Sequence, residues 1–150
     1  MLIELCLSLA VYHEARGEPL EGQRAVAEVV MNRVGSPLFP NDVCAVVKDP
    51  YQFSFVSQNG WAGIPDDQDR WADAVIIAQR ALFNFKSGLH TMNDENVLWY
   101  HRHDISLVWT KCLEQKMRIG NHVFFTTKQQ SPQTSLRPKR RPKALEVKSS

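Results

Sequence analysis

Two glutamates four residues apart, Glu14 and Glu18 in the stretch YHEARGE, are the first candidates for chemistry. On an unbroken helix residues four apart share a face, but Gly17 and Pro19 interrupt this one, so we expect the two carboxylates to diverge. Glu14 ends an apolar segment, which predicts a carboxyl group at the edge of the core. Partial burial favours the protonated form of a carboxyl group, and a protonated glutamate is the acid that cleavage of a glycosidic bond requires. The alternative is a solvated helix end with Arg16 as a surface ion partner.

Histidines raise a second possibility, a metal site. His13 and Glu14 begin like the zinc-binding pattern HExxH, but Gly17 stands where its second histidine belongs. His101 and His103 alternate on a predicted strand, so they would point the same way and could bind zinc together with a carboxylate. Two histidines at this spacing also occur as an ordinary surface or hydrogen-bonded pair. Because spacing completes no ligand set, we expect no metal and no other cofactor.

Aromatic and amide side chains alternate in an irregular segment in the middle of the chain. Flat apolar faces beside amide groups suit a sugar-binding groove; the alternative is a loop pinned to the core by its aromatic rings. Two further tryptophans, Trp71 and Trp109, occupy helical positions, and we expect them in the core. The residues of the irregular segment are Tyr51, Gln52, Phe53, Ser54, Phe55, Gln58, Asn59 and Trp61.

The elements that must position these residues follow from hydrophobic periodicity and turn signals. Apolar residues at helical spacing from Leu2 to Ala10 predict an amphipathic first helix, and Asn41 is the expected cap of the third. The fold class is helix-rich α+β, a single domain with a small antiparallel sheet. The predicted elements are helices over 2–15, 20–34, 41–47 and 69–85, a strand over 96–101, a short helix over 106–114 and a hairpin over 117–125 around Gly120 and Asn121.

Composition changes sharply near the carboxyl end. Residues 1–136 hold twelve Lys/Arg and fifteen Asp/Glu, a net −3, whereas residues 137–150 hold six and one, a net +5. From residue 129 onward the chain has few apolar side chains and cannot bury enough surface to order itself. The sequence therefore predicts a domain over 1–128 and a basic flexible tail over 129–150.

Cysteine usage and the amino-terminal residues bear on the compartment. Cys6, Cys44 and Cys112 are odd in number and far apart, so we expect small buried hydrophobes in a chain made in a reducing compartment rather than a disulfide framework. The apolar start lacks a basic region and a cleavage site and carries Glu4, unlike a signal peptide. No stretch approaches the ~20 apolar residues of a membrane span.

Several blocks in one order resemble a known family. The long block with EARGEPLEGQRAVAEVVMNR is specific, and the resemblance extends over roughly residues 6–126. The chain resembles the SleB-type cell-wall hydrolases, the catalytic domains of spore cortex-lytic enzymes and related bacterial and phage lysins. One departure is Phe124-Phe125, where the family has Phe-Tyr. The blocks are AVYHEARGEPLEGQRAVAEVVMNRV, PNDVCAVV, QFS, WYH and RIGNHVFF.

The resemblance implies a lysozyme/transglycosylase-like fold and cleavage of the MurNAc–GlcNAc glycan backbone of peptidoglycan by a lytic transglycosylase. The first glutamate of EARGE, Glu14, is the implied catalytic residue. Asn32 and Arg33 would brace the site, and His122 either braces it or contributes to it. The implied substrate-binding residues are Gln52, Ser54, Tyr100 and His101.

These inferences place the protein as a monomer without an obligate protein partner that acts on the cell wall. Compact size and the apparent lack of an export signal and of a wall-binding domain favour a phage endolysin, made in the cytoplasm and released by a holin-type protein. A bacterial hydrolase is the other origin. Two alternatives remain: a zinc-dependent N-acetylmuramoyl-alanine amidase or peptidase, and a non-enzymatic polyanion binder in which RPKRRPK contacts nucleic acid, an anionic polymer or a membrane surface.

Overall fold

A computed structural model describes residues 2–15, 17–48, 65–89, 92 and 94–127, together with the backbone of 56–57 and 60–61. The irregular segment's side chains, including Gln52 and Ser54, and the predicted tail 129–150 lie outside the described residues. Helix and strand bounds are α1 Leu2–Ala15, α2 Leu20–Val34, α3 Val43–Lys48, β1 Val56–Ser57, β2 Gly60–Trp61, α4 Gln68–Ser87, β3 Val97–Arg102, a 3₁₀ turn Val108–Cys112, β4 Leu113–Ile119 and β5 His122–Thr127.

Helix α1 is the central element of the helical layer. Every residue from Cys6 to Tyr12 is buried, and the helix packs against α2, α3 and α4. The prediction of an amphipathic helix is therefore wrong: a helix surrounded by three others buries all of its faces. Leu2, one of the apolar residues at helical spacing, is 62% exposed because it precedes the packed part of the helix.

Capping residues mark the ends of α4 and the start of α3. Asp67 caps α4 by accepting the Arg70 N–H at 3.1 Å, and α4 ends at Gly88, which adopts the left-handed conformation with φ 75°. The expected cap at Asn41 is wrong by one residue, because the Asp42 carboxylate accepts the Ala45 N–H at 2.9 Å.

The three-stranded antiparallel sheet has the order β3-β5-β4, and β4 and β5 form the predicted hairpin around Gly120 and Asn121. Phe124, fully buried, packs with Val97 and Ile119 against the α2 face that carries Val26. Burial of one such side chain contributes about 1.5–3 kcal/mol. The helix predicted over 106–114 is shorter than expected, a 3₁₀ turn that gives way to β4 at Leu113.

Two expectations about buried residues are corrected. Cys6 of α1 and Cys44 of α3 form a disulfide bond, with 5.3 Å between their Cα atoms, rather than standing as separate buried thiols. Cys112 is a free, exposed cysteine. Trp109, expected in the core, is 45% exposed because it lies on the 3₁₀ turn, none of whose residues is buried. Within the described part of the chain, no helix is long and apolar enough to cross a membrane.

Candidate active site

The site is centred on Glu14, which lies half-buried on the last turn of α1, immediately before the buried Ala15. Tyr100 of β3 donates its hydroxyl hydrogen to Glu14 Oε1 at 2.9 Å. These residues are 86 positions apart in the chain, so it is the packing of the sheet on the helices that brings them together. The solvated helix end that composition allowed is not what the structure has.

Aromatic contacts fix the ring of Tyr100. Its centroid lies 4.9 Å from that of His122 and 5.6 Å from that of Phe124, both on the neighbouring strand β5. Burial raises the pKa of Tyr100 well above 10.0, and the negative charge of Glu14 and the hydrogen bond to it raise it further, while the charge of Arg33 acts in the opposite direction. The phenol therefore stays protonated at neutral pH and remains a hydrogen-bond donor to the carboxyl group.

Glu18 has a different environment from Glu14. Its Oε1 accepts the backbone N–H of Asn121 at 2.8 Å, and its Oε2 accepts the side-chain amide N–H of the same residue at 3.1 Å. Each glutamate is thus held by its own partner from the sheet. Helix α1 ends at Ala15, before Gly17 and Pro19, so the helix is interrupted between the two glutamates as predicted.

Strand β3 is attached to the end of α2 by two buried side chains. Asn32 donates its amide hydrogens to the carbonyl oxygens of Asp94 at 3.2 Å and Val97 at 3.0 Å. Arg33 donates from Nε to the carbonyl oxygen of Leu98 at 2.7 Å. Both residues brace the strand that carries Tyr100.

His122 is 6% exposed and is surrounded by the groups of the site. Burial lowers its pKa below the ordinary 6.5; the charges of Glu18 and Glu14 raise it, and those of Arg102 and His101 lower it. Its Nδ1 atom has no hydrogen-bond partner among the described residues. The imidazole is therefore neutral at neutral pH.

His101 lies on the opposite face of the sheet from Tyr100. Successive strand residues point to opposite faces, and His101 packs against Phe125 at 5.0 Å and Trp109 at 6.3 Å between ring centroids. Its role in sugar binding stays a prediction, as do those of Gln52 and Ser54.

One of the two histidines considered as metal ligands has another side-chain contact: His101 Nδ1 lies 2.6 Å from the carbonyl oxygen of Arg102. Across the described part of the chain, no three His, Cys, Asp or Glu side chains come together in a group that could hold a metal ion.

Sequence reasoning missed two contacts, one beside the site and one at the start of α4. The partner of Glu18 was not identified, although an Asn-containing tight turn opposite a carboxylate offers the right donors. Tyr12 was not singled out either: its hydroxyl donates to Asp66 at 2.9 Å and accepts the N–H groups of Asp66 and Asp67 at 3.2 and 3.0 Å. An aromatic residue in an apolar helix gave no signal for this role.

The fold and the site define a helix-rich α+β domain with a tyrosine-bound carboxyl group at the end of a buried helix, an arrangement suited to acid–base catalysis. The chain belongs to the cell wall hydrolase family, whose model matches residues 17–125. The match begins just after Glu14. Membership of this family confirms the resemblance seen in the sequence.

Relatives and solved structures agree with the family. The spore cortex-lytic enzymes of Bacillus subtilis and Oceanobacillus iheyensis are 37% and 36% identical over 118 residues, 79% and 77% of this chain. The crystal structure of the catalytic domain of Bacillus cereus SleB matches with a TM-score of 0.63 at 32% identity, covering 84% of this chain and 91% of that one. The catalytic domain of the germination-specific lytic transglycosylase SleB from Bacillus anthracis matches with the same TM-score and identity, covering 83% and 93%.

These matches confirm the predicted fold class. The chain spans only about a third of the length of the curated relatives, 35% and 38% of those two proteins. It covers more than nine-tenths of both solved catalytic domains.

Proposed function

We propose that the protein cleaves the glycan strand of peptidoglycan between MurNAc and GlcNAc as a lytic transglycosylase, with Glu14 as the residue that transfers the proton. The observation that carries the proposal is the 2.9 Å hydrogen bond from Tyr100 to Glu14 at the end of α1. Support comes from the family and from the similarity to a solved domain described as a lytic transglycosylase. The substrate is then the cell wall, and we expect a monomer to suffice.

The chemistry needs one carboxyl group. Protonated Glu14 gives its proton to the glycosidic oxygen as the bond from that oxygen to C1 of MurNAc breaks, and the GlcNAc hydroxyl leaves. The resulting carboxylate takes the proton of the C6 hydroxyl of the same MurNAc, whose oxygen bonds to C1. The product is a 1,6-anhydro sugar, no water is consumed, and Glu14 ends in its starting protonation state.

Tyr100 orients the carboxyl group for both steps. Since the phenol donates to Oε1, the acid proton of Glu14 belongs on Oε2, which defines the oxygen that transfers it. The carboxylate formed in the first step keeps the same donor, and a hydrogen bond to a charged group is stronger than one to a neutral group. The raised pKa of Tyr100 keeps that donor protonated throughout.

The test is the variant Glu14→Gln, with Glu21→Gln as a matched control. The amide introduced by Glu14→Gln keeps an oxygen that can accept from Tyr100 but cannot transfer a proton, so lytic activity on purified sacculi should fall about 10²–10⁴-fold. Glu21 is exposed on the first turn of α2, and its variant should retain wild-type activity. Clearing by Glu14→Gln at near wild-type rate, with an unchanged circular dichroism spectrum, would remove Glu14 from the mechanism.

The amidase or peptidase alternative makes a different prediction. A zinc enzyme loses activity when its metal is removed, whereas a glutamate that acts alone does not. Dialysis against a chelator should therefore leave the clearing rate unchanged, and a loss restored by zinc would contradict the proposal.

A further inference from the structure

The second glutamate of the block, Glu18, binds the β4–β5 turn through both of its carboxylate oxygens. The two hydrogen bonds go to Asn121, one to its backbone N–H at 2.8 Å and one to its side-chain amide at 3.1 Å. The preceding Gly120 has φ 59°, and a Cβ atom there would overlap Glu18 Oε1 and lie 2.9 Å from Pro19 Cδ. The turn thus packs directly on Glu18 and Pro19, in a space that only glycine fits.

The backbone of Glu18 is itself fixed to both neighbouring helices. Its N–H donates to the carbonyl of Ala15, the last residue of α1, at 2.9 Å. Its carbonyl accepts from Nε2 of the buried Gln23 of α2, also at 2.9 Å. Gly22 passes so close beneath it that a Cβ there would lie 3.2 Å from Glu18 Cβ. Glu18 therefore connects the turn rigidly to the end of the helix that carries Glu14.

The same turn is connected to the strand that carries Tyr100. The carbonyl of Asn121 accepts the N–H of His103, just beyond the end of β3. His122, the next residue, lies edge-on to Tyr100 at 4.9 Å. Strand β3 is therefore held at its beginning by Asn32 and near its end through Asn121 and Glu18, and Tyr100 lies between these two attachments.

We propose that Glu18 is a positioning residue, which holds the sheet against the end of α1 at the distance where the Tyr100 hydroxyl reaches Glu14. Its place in catalysis rests on the function proposed above, whereas its effect on Tyr100 does not. The two glutamates of the block then have separate roles, one in proton transfer and one in holding the strand that orients it.

The experiment compares Glu18→Ala with Glu18→Gln and Asn121→Ala, with Glu21→Ala as a control for loss of an exposed carboxylate. The first readout is the ionisation of Tyr100, followed by NMR of ¹³Cζ-labelled tyrosine and assigned with Tyr100→Phe. Burial raises the pKa of Tyr100, and the charge of Glu14 and the hydrogen bond to it raise it further. Glu18→Gln removes the same charge as Glu18→Ala but keeps groups that can bond to Asn121, so a change confined to Glu18→Ala reports movement of Tyr100 and not the lost charge of Glu18.

We expect Glu18→Ala to lower the pKa of Tyr100 toward its ordinary value and to reduce kcat about 10- to 100-fold, as displacement by about 1 Å does, with KM on soluble glycan fragments within about twofold. In Glu18→Gln the pKa of Tyr100 and kcat should both lie closer to wild type than in Glu18→Ala. The glutamine amide can accept from the Asn121 N–H and donate to the Asn121 side-chain oxygen. Asn121→Ala removes one of the two hydrogen bonds and should give a smaller change in the same direction.

Unchanged Tyr100 ionisation and kcat in folded Glu18→Ala would overturn the proposal. If Glu18→Ala does not fold, Asn121→Ala decides: an altered Tyr100 titration supports the proposal, and wild-type titration and kcat contradict it. The Tyr100 readout does not require activity, so a failure of the proposed function in Glu14→Gln is distinguishable from a failure of this inference.

Discussion

Removal of one oxygen atom, in Tyr100→Phe, tests how much the tyrosine contributes to the site. The ring keeps its contacts with His122 and Phe124, and only the hydrogen bond to Glu14 is lost. A hydrogen bond to a charged group contributes about 1.5–3 kcal/mol. If it acts on the transition state, the rate falls about 10- to 150-fold, since about 1.4 kcal/mol corresponds to a factor of ten.

The stability of Tyr100→Phe should change much less than its activity. The lost hydrogen bond is offset by the removal of a hydroxyl group from a partly apolar environment, so we expect a change in unfolding free energy of about 1 kcal/mol or less. The pKa of Tyr100 is raised in the folded state, so the wild-type free energy of unfolding decreases as pH rises above about 10. Phenylalanine does not ionise, so the variant should resist alkaline unfolding better than wild type.

Tyr12→Phe is the matched control. Tyr12 is 1% exposed, and among the described residues its hydroxyl bonds to Asp66 and Asp67 at the start of α4. Its loss leaves two backbone N–H groups without that acceptor, which should cost about 1–3 kcal/mol of stability with no loss of kcat well below the melting temperature.

The assay pairs thermal unfolding by circular dichroism with the initial rate of muropeptide release from sacculi. The expected pattern is opposite in the two variants: activity lost with stability kept in Tyr100→Phe, and stability lost with activity kept in Tyr12→Phe. Wild-type kcat in Tyr100→Phe, or an equal loss of kcat in both variants, would refute the reasoning.

Three further predictions concern the disulfide bond, His122 and the basic tail. Closure of the 38-residue loop between Cys6 and Cys44 should stabilise the fold by up to about 4 kcal/mol, so reduction should lower the melting temperature while Cys112→Ser leaves it unchanged; an equal melting temperature after reduction would contradict this. Burial lowers the pKa of His122 below 6.5, so the wild-type free energy of unfolding should decrease as pH falls below that value. Between pH 7.5 and 5, His122→Gln should therefore lose less of its free energy of unfolding than wild type does; parallel pH profiles would argue against it. A chain that ends at Lys128 should keep its melting temperature and its rate on soluble fragments but bind sacculi more slowly at low salt, because a +5 segment is attracted to polyanions and screened by salt; loss of activity on soluble fragments would exclude a purely electrostatic role.

Most of the fold follows from local sequence, and the differences have local causes. Periodicity and turn signals gave the observed bounds of α2 and the position of the β4–β5 turn, although the strands of the hairpin extend further than predicted. They failed where a tertiary neighbour decides: burial of α1 on all sides depends on three other helices, and the Cys6–Cys44 bond depends on where α3 packs. Cysteine spacing in the chain does not specify spatial distance.

In the site, too, local sequence predicts single residues but not the contacts between distant ones. Glu14 could be singled out from its position at the end of an apolar helix, and a specific block supported the choice. Its hydrogen bond to Tyr100 joins positions 86 residues apart, and the contact of Glu18 with Asn121 joins positions 103 apart. No local rule predicts such pairs, although each partner lay in a segment that the sequence marked as strand or tight turn.

Mass spectrometry of the products released from purified sacculi tests the central claim most directly. If Glu14 transfers a proton from the C6 hydroxyl, wild-type protein should release muropeptides with 1,6-anhydro-MurNAc ends, lighter by one water than the corresponding reducing-end products, and Glu14→Gln should release almost none. Reducing-end sugars would show that water attacks instead, and free stem peptides with intact glycan strands would contradict glycan cleavage altogether.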